Sequence, residues 1–394
     1  MTSLIILDPG MRQRAGHYYE YNTALANAAI AAGHHVTIYA HKDWPDRESH
    51  IVPYFTAGVG QGSAAKRAGH KMLALLPPWL RAALFAPARY LYRALKPPRV
   101  TVNVFSREAA DIHLPDNALV LSPSASYADI LGLLPLCATR HDCAFRFVVR
   151  QLPQDPAEQA AFETLKDTVI PPNATIVSDT NDLTVWLQGQ GIAARLIPIP
   201  MQVPAFVFDD PKANEIFTFA LLGPARGEKG IARMPGLIRA FEGDLKADKI
   251  RFVIQTTLVG GQAPEPEVER TIAELKSLQK TVPNIVLIDG DLGEEQFYRA
   301  LCDASCVLIP YDRARYQARS SGLLVQSYLC GRPAIVPSDT WMADQVPDFL
   351  QHTIWQYDLV ETCKQVRERP GDMTAFTREW RAKHSPTGTL AALY

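Results

Sequence analysis

The sequence alternates short apolar runs with helical segments, and a proline-rich stretch at residues 195–206 divides this alternation into two series. Such alternation predicts parallel sheets covered by helices, because parallel strands need long crossover connections. Pro198, Pro200 and Pro204 are typical of an extended segment between domains. At 394 residues the chain also exceeds the ~250–300 residues at which a single core stops growing. The sequence therefore predicts two α/β domains.

Each predicted domain is a doubly wound, Rossmann-like sheet, and the two are expected to face a cleft that binds ligands. In the first series the predicted strands are residues 4–7, 35–41, 118–122, 145–149 and 174–178. In the second they are residues 217–223, 251–256, 284–290, 305–310 and 333–338. The predicted domains span residues 1–200 and 201–360. Residues 361–394, with Phe376 and Trp380 one turn apart, are expected to form a helix that packs back toward the first domain.

Composition excludes several classes of protein. Forty basic and 41 acidic residues give a net charge of -1, so we expect no nucleic-acid partner. The six cysteines form no CxxC pair and are interpreted as reduced thiols. The start, MTSLIIL, lacks the basic region of a signal peptide, and no run reaches the ~18–20 apolar residues of a membrane-spanning helix. A cytoplasmic protein is expected.

A glycine-rich loop, GPARGEKG at residues 223–230, follows the first strand of the second series. Gly223 and two further glycines let the backbone bend closely, and Arg226 and Lys229 add two cations where a helix begins. The loop suits a diphosphate. The alternative is an ordinary strand-to-helix loop with two solvated cations.

A second candidate element is the start of the helix LLVQSYLC. Ser320, Ser321 and Gly322 precede this helix, so its first free amides, including that of Leu323, could hold phosphate or sugar oxygens. The alternative is simple capping, since serine is a common N-cap residue.

These features together resemble a GT-B glycosyltransferase of family 4 type. The resemblance covers nearly the whole chain and rests on three segments: the glycine loop with its lysine, SGLLVQSYLCGRPAIV after a strand, and GHYYEYNTALANAAIAAGHHVTIYA at residues 16–40. It implies sugar transfer from a nucleotide sugar, which is a substrate, with no separate cofactor. It also implies donor binding by the second domain, acceptor binding by the first, and retention of anomeric configuration.

The resemblance carries over residue by residue, with departures. Lys229 matches the family's diphosphate-binding lysine, and the role of its arginine partner is carried to Arg226, because Pro224 stands at the matching position. The E-x7-E carboxylate pair falls on Ala318 and Gln326. The amide of Gln326 can still hydrogen-bond ribose hydroxyls, although it lacks the charge of a carboxylate.

In the first domain, the candidate catalytic residues are His17, Glu20 and Arg150. Gly16 and His17 open the first helix on the acceptor side, and Glu20 shares a helix face with His17. Arg150 stands where family members often have a histidine and could neutralise an anionic group. The alternatives are a capping or packing role for His17 and a solvated strand-end arginine. No His/Cys spacing indicates a metal site.

Residues 49–107 form a basic insert with nine Lys or Arg residues and no Asp or Glu. Within it, residues 66–99 interleave cations with leucines and aromatic residues, which favours docking on an anionic membrane surface at the inner face of the plasma membrane. An insert packed on the first domain is the alternative, and a nucleic-acid patch is the third interpretation.

The sequence thus favours a glycosyltransferase acting on a membrane-associated glycan or lipid-linked acceptor. The second hypothesis is a catalytically silent GT-B subunit that binds nucleotide sugar or membrane and supports a partner enzyme. The missing carboxylate pair favours it. A nucleotide-sugar epimerase is the third, but no converging set of ionisable groups indicates one.

Overall fold

The computed structural model separates the chain into two compact units. The first contains Met1–Ile197 with Leu390–Tyr394, and the second contains Pro198–Thr389. The structure describes residues 2–14, 16–45, 48–56, 103–208, 216–258, 265–353, 356–368 and 374–394. Most of the basic insert, including the segment 66–99, lies outside the described residues.

The first unit is a seven-stranded parallel sheet in the order β3-β2-β1-β4-β5-β6-β7. Its strands are β1 (Ser3–Leu7), β2 (His35–His41), β3 (Ile51–Phe55), β4 (Leu119–Ser122), β5 (Ala144–Val149), β6 (Ala174–Ser178) and β7 (Ala194–Leu196). Its helices are α1 (His17–Ala31), α2 (Val104–Ala110), α3 (Tyr127–Thr139), α4 (Pro156–Lys166) and α5 (Asn181–Gly189). The predicted α/β architecture is confirmed for this unit.

Local sequence explains where these helices begin. Gly16, at φ 81°, precedes α1 in a conformation that glycine adopts without a Cβ penalty. Ser126 and Asp129 form a capping box at the start of α3. Asp155 accepts from two amides at the start of α4, where a proline takes the first helical position. Strand β1 is buried from Leu4 to Leu7, as expected for a central parallel strand.

The second unit is a six-stranded parallel sheet in the order β10-β9-β8-β11-β12-β13. Its strands are β8 (Phe217–Leu221), β9 (Ile250–Gln255), β10 (Ile285–Ile288), β11 (Cys306–Leu308), β12 (Ala334–Pro337) and β13 (Gln351–His352). Its helices include α6 (Met234–Ala240), α7 (Glu242–Lys246), α8 (Pro266–Thr281), α9 (Glu294–Cys302), α10 (Arg313–Tyr316) and α11 (Gly322–Leu329). The doubly wound prediction is confirmed here too.

The C-terminal segment differs in detail from the single helix expected after residue 361. It forms α12 (Gln356–Glu368), α13 (Thr374–Lys383) and α14 (Pro386–Leu393). Trp380 of α13 stacks on Tyr328 of the second unit, with ring centroids 4.9 Å apart. The last five residues belong to the first unit, where Arg146 Nε donates to the carbonyl of Leu393 at 2.7 Å. No helix within the described residues is long and apolar enough to cross a membrane.

Both strand orders contain a switch point. In the first sheet β1 lies between β2 and β4, and in the second β8 lies between β9 and β11. Loops that leave the carboxyl ends of adjacent strands at such a point run in opposite directions and open a crevice, where doubly wound sheets bind ligands. The loops after β1 and β8 are therefore the first places to look for a site.

Candidate functional site

The glycine-rich loop after β8 is held at the switch point of the second sheet. The amide of Gly223, at φ 95°, donates to Oε1 of buried Gln255 at 2.7 Å. Gly230, at φ 75°, lies so close to the carbonyl of Pro310 that a Cβ there would clash. Pro310 lies two residues after β11. The glycine-rich loop therefore packs on the loop that follows this neighbouring strand. The glycines therefore allow the two loops of the crevice to meet.

Lys229 directs its ammonium into this junction. Its Nζ lies 2.9 Å from the place where a Cβ on Gly223 would sit, and 5.7 Å from the ring centroid of Tyr311. Among the described residues, no hydrogen bond or ion pair reaches this Nζ. Burial, together with the nearby cations Arg226 and Arg319, lowers the pKa of Lys229 to about 8. A partly buried cation without a counter-ion is a place where an anion is favoured.

Arg226 lies beside Lys229 and is oriented by a carboxylate. Its Nη1 is 3.5 Å from Glu228, whose other oxygen pairs with Arg315 at 2.7 Å. The Nε of Arg226 is buried and has no hydrogen-bond partner in the described part of the chain. Because one carboxylate serves two arginines, the loop keeps a net positive charge.

The start of α11 adjoins the same cluster. Ser321 is the N-cap residue, and its hydroxyl accepts from the amide of Leu324 at 3.3 Å. Burial raises the pKa of Tyr311 well above its ordinary value, and the Ser321 side chain lies close enough to its hydroxyl to oppose part of this rise. Tyr311 thus lies beside both Lys229 and Ser321. The structure therefore brings the two sequence-predicted elements together around one tyrosine.

The remaining predicted donor-side residues lie in and just before α11. Ser320 is buried, and Gly322 and Leu323 begin the helix, where backbone amides have no intrahelical acceptor. Gln326 is buried, with its Nε2 3.5 Å from the hydroxyl of Tyr298. The ribose-binding role expected for Gln326 stays a prediction.

In the first unit, a buried polar cluster occupies the carboxyl ends of β1, β5 and β6. Arg150 Nε donates to Oδ2 of buried Asp179 at 2.9 Å, and its guanidinium lies 5.2 Å from the ring centroid of Tyr21. Arg150 is therefore an ion-paired residue, not a solvated strand end. Its predicted catalytic role stays a prediction.

Asp8 belongs to the same cluster. Its two oxygens accept from the amide of Gly10 at 2.8 Å and from Nδ2 of Asn22 at 2.6 Å. Burial, only partly offset by these hydrogen bonds and by the charge of Arg150, raises the pKa of Asp8 to about 6. The carboxyl group is thus poised to change protonation close to neutral pH.

The other first-domain candidates lie at the start of α1. Gly16 is exposed, its carbonyl accepts from the amide of Glu20 at 3.1 Å, and His17 is the first helical residue. The side chain of His17 lies outside the described residues. The acceptor-side role of Gly16 and His17 and the catalytic role of His17 and Glu20 stay predictions.

Several residues of both clusters were not singled out from the sequence. They are Tyr21, Asn22, Asp179, Gln255, Tyr311 and Arg319. Asp179 directly follows β6, Tyr311 lies three residues after β11, and Arg319 directly precedes the paired serines. Polar residues just beyond the strand ends are therefore the sequence signal that could have found Asp179 and Tyr311. Within the described residues, no group of His, Cys, Asp and Glu side chains is arranged to hold a metal ion.

No protein-family model matches the chain, and no curated protein matches its sequence. Solved structures do match it along its length. Sucrose-phosphate synthase from Thermosynechococcus elongatus is 12% identical, with a TM-score of 0.66, over 100% of this chain and 97% of the other. An α,α-trehalose-phosphate synthase (UDP-forming) from Burkholderia xenovorans, in complex with glucose-6-phosphate, is 12% identical, with a TM-score of 0.66, over 99% and 98%.

A third match, trehalose-6-phosphate from E. coli bound with UDP-2-fluoro glucose, is 11% identical, with a TM-score of 0.60, over 100% of this chain and 95% of the other. The fold is that of the GT-B glycosyltransferases. The predicted fold class is confirmed by these matches. At such low identity they establish the fold alone, so the family 4 assignment stays a prediction.

Proposed function

We propose that the chain is a glycosyltransferase that moves a sugar from a nucleotide-diphosphate sugar to an acceptor. The observation that carries this proposal is the cluster around Tyr311. There the ammonium of Lys229, the guanidinium of Arg226 and the capped start of α11 adjoin one another at the switch point of a doubly wound sheet. This arrangement suits a diphosphate better than it suits a neutral ligand.

The cluster would act on the leaving group. When the bond between the sugar and the diphosphate breaks, negative charge grows on the departing nucleotide. Cations and helix amides that already point at that charge stabilise the transition state more than the ground state. Lys229 suits this role, since no described carboxylate within ion-pair distance competes for its ammonium. On the resemblance to family 4, we propose that the anomeric configuration is retained.

The matched structures support the donor class. One is bound with UDP-2-fluoro glucose, and another is UDP-forming and is in complex with glucose-6-phosphate. We accordingly propose a nucleotide sugar as donor and a glycan or sugar-containing molecule as acceptor for this chain. Residues of the first unit, including Arg150, Glu20 and His17, are the proposed acceptor-side groups.

The acceptor is proposed to be membrane-associated, and this rests on the sequence of residues 66–99. Their cations and aromatic residues are typical of a segment that lies on an anionic bilayer. Flotation with liposomes that do or do not contain anionic lipid tests it. Wild-type protein should float with anionic liposomes, and a variant with Arg81, Arg89 and Arg93 changed to glutamate should not. Equal recovery of the two proteins would contradict membrane docking.

A silent subunit is the second candidate, because Ala318 and Gln326 stand where family members carry carboxylates. Incubation of the purified chain with UDP- and GDP-sugars and a membrane extract separates the two. Sugar incorporation into the extract supports transfer, and donor binding without turnover supports the silent subunit. A Lys229→Met variant should lose incorporation, while Lys246→Met, at an exposed lysine paired with Glu242, should keep it. The transferase proposal is wrong if no nucleotide or nucleotide sugar binds.

A further inference from the structure

The cations around Tyr311 outnumber the charges of a diphosphate. Arg226, Lys229, Arg315 and Arg319 all lie in or beside the cluster, and Glu228 is the carboxylate that pairs within it. Since Glu228 is 2.7 Å from Arg315 and 3.5 Å from Arg226, it offsets one of these positive charges. Three remain, against one negative charge on each of the two esterified phosphates.

Arg319 is the third of these cations, beside Arg226 and Lys229. Its guanidinium lies 5.1 Å from the ring centroid of Tyr316, and Tyr316 packs on Tyr311 with centroids 4.6 Å apart. The positive charge of Arg319 lowers the pKa of both Lys229 and Tyr311. In the described part of the chain, no carboxylate lies within ion-pair distance of Arg319. The aromatic pair therefore holds a guanidinium next to the phosphate-binding cations.

Among the described residues, the other acidic groups near the loop form no ion pair with Arg319. The carboxylate of Glu265 lies against Gly227, but it makes no ion pair with Arg226, Lys229 or Arg319 among the described residues. Asp312 caps α10 by accepting from the amide of Arg315 at 2.9 Å. At the position aligned with the family's first motif carboxylate, Ala318 is buried and supplies no charge.

We propose that Arg319 binds a carboxylate on the transferred sugar, so that the donor is a nucleotide-diphosphate uronic acid. This inference rests on the proposed donor site. In such a donor a single sugar ring separates the C6 carboxylate from the β-phosphate, so a cation beside the diphosphate site can reach it. A guanidinium stacked on an aromatic ring presents its planar fork to a carboxylate in a fixed orientation, and carboxylates match that geometry.

Matched pairs of donors test the inference. UDP-glucuronate and UDP-glucose differ at C6 alone, and GDP-mannuronate and GDP-mannose form the second pair. Isothermal titration calorimetry of the full chain should show about tenfold or greater preference for the acidic member of one pair. Arg319→Gln should remove that preference by weakening acidic-donor binding, and Arg319→Lys should keep part of it. Arg313→Gln, whose arginine pairs with Asp339 on the same segment, is the control and should change neither affinity.

The outcomes distinguish a failure of the uronate inference from a failure of the proposed function. Equal affinity for the acidic and the neutral member within both pairs overturns the uronate inference and leaves the transferase proposal standing. Two results would show that Arg319 does not recognise the sugar carboxylate. One is a preference for the acidic donor that persists in Arg319→Gln, and the other is an equal loss of affinity for the acidic and neutral donors in that variant. If neither nucleotides nor nucleotide sugars bind, the proposed function fails and the inference fails with it. Far-UV circular dichroism of each variant confirms that it is folded.

Discussion

Lys229 shows how a single residue can favour ligand binding at the expense of stability. Its pKa falls to about 8 from an ordinary 10.5, mainly because of burial. Between these values the unfolded chain binds a proton that the folded protein releases, so the stability contributed by this group rises with pH across that window. At neutral pH the folded protein carries the charged form at a cost, which a bound diphosphate would offset.

Replacing this lysine should therefore separate stability from binding. Lys229→Met is expected to raise the free energy of unfolding at neutral pH by roughly 1–3 kcal/mol, because it removes a partly buried charge. The same variant should bind nucleotide diphosphates at least about tenfold more weakly. Urea unfolding and calorimetry measure the two effects, with Lys246→Met as the exposed control. A variant that is less stable and binds normally would contradict this account of the site.

Asp8 offers a second residue-scale prediction, with the opposite pH dependence. Its pKa is raised from 3.8 to about 6, so between these values the folded protein holds a proton that the unfolded chain releases. The contribution of this group to stability is therefore fully present below pH 3.8 and is lost as the pH rises through about 6.

Asp8→Asn mimics the protonated form at every pH, and Asn22 can turn its amide to accept from the new side chain. Between about pH 4 and pH 7, the free energy of unfolding of the variant should rise by roughly 1–3 kcal/mol relative to that of the wild type. Urea titrations across that range measure the difference between the two proteins. A difference that does not change with pH would show that Asp8 does not titrate there.

At the scale of an element, α11 joins helix capping to the proposed donor site. Ser321 caps the helix through the Leu324 amide and lies beside Tyr311 of the proposed donor site. Aspartate caps helices as well as serine does, and its charge favours a helix start, but the same charge would repel a phosphate. The two functions of this position can therefore be separated by substitution.

Ser321→Ala should lower the free energy of unfolding by about 1 kcal/mol through loss of the cap. Ser321→Asp should stay within about 0.5 kcal/mol of the wild type and still bind nucleotide diphosphates about tenfold more weakly. Ser126→Ala, which removes the cap of α3 in the first unit, is the control: it should lower stability and leave donor binding unchanged. Normal donor binding by Ser321→Asp would place the ligand away from α11.

At the scale of the whole molecule, the chain's last residues belong to its first unit. Arg146 on β5 is buried and donates to the carbonyl of Leu393, and the ring of His34 stacks on Tyr394 at 5.3 Å. The first unit is thus completed by residues that follow the entire second unit in sequence.

Deletion of residues 390–394 should therefore destabilise the first unit alone, by about 2–4 kcal/mol, because it leaves the guanidinium of Arg146 without its acceptor and exposes apolar surface. Hydrogen exchange followed by mass spectrometry should show faster exchange in β5 and β6, with β11 and β12 unchanged as the internal control. Equal acceleration in both units would mean that the two sheets unfold cooperatively.

The sequence by itself determined the two series of strands and helices, since apolar periodicity and glycine punctuation act over a few residues. It also located the loop 223–230 and the start of α11, because each of these is a local pattern. The single C-terminal helix expected from the sequence is three helices in the structure, α12, α13 and α14. The ends of these helices depend on packing, such as that of Trp380 on Tyr328.

Only the tertiary structure decided which residues contact the residues of these local patterns. Glu228 and Arg315 pair although they are 87 positions apart, and Arg150 meets Asp179 because β5 and β6 are neighbours in the sheet. Tyr311 joins Lys229 to Ser321 for the same reason: β8 and β11 are adjacent. Such partners are set by strand order, which is a property of the folded chain. Burial then sets the pKa values of Lys229 and Asp8, and burial is likewise a result of packing.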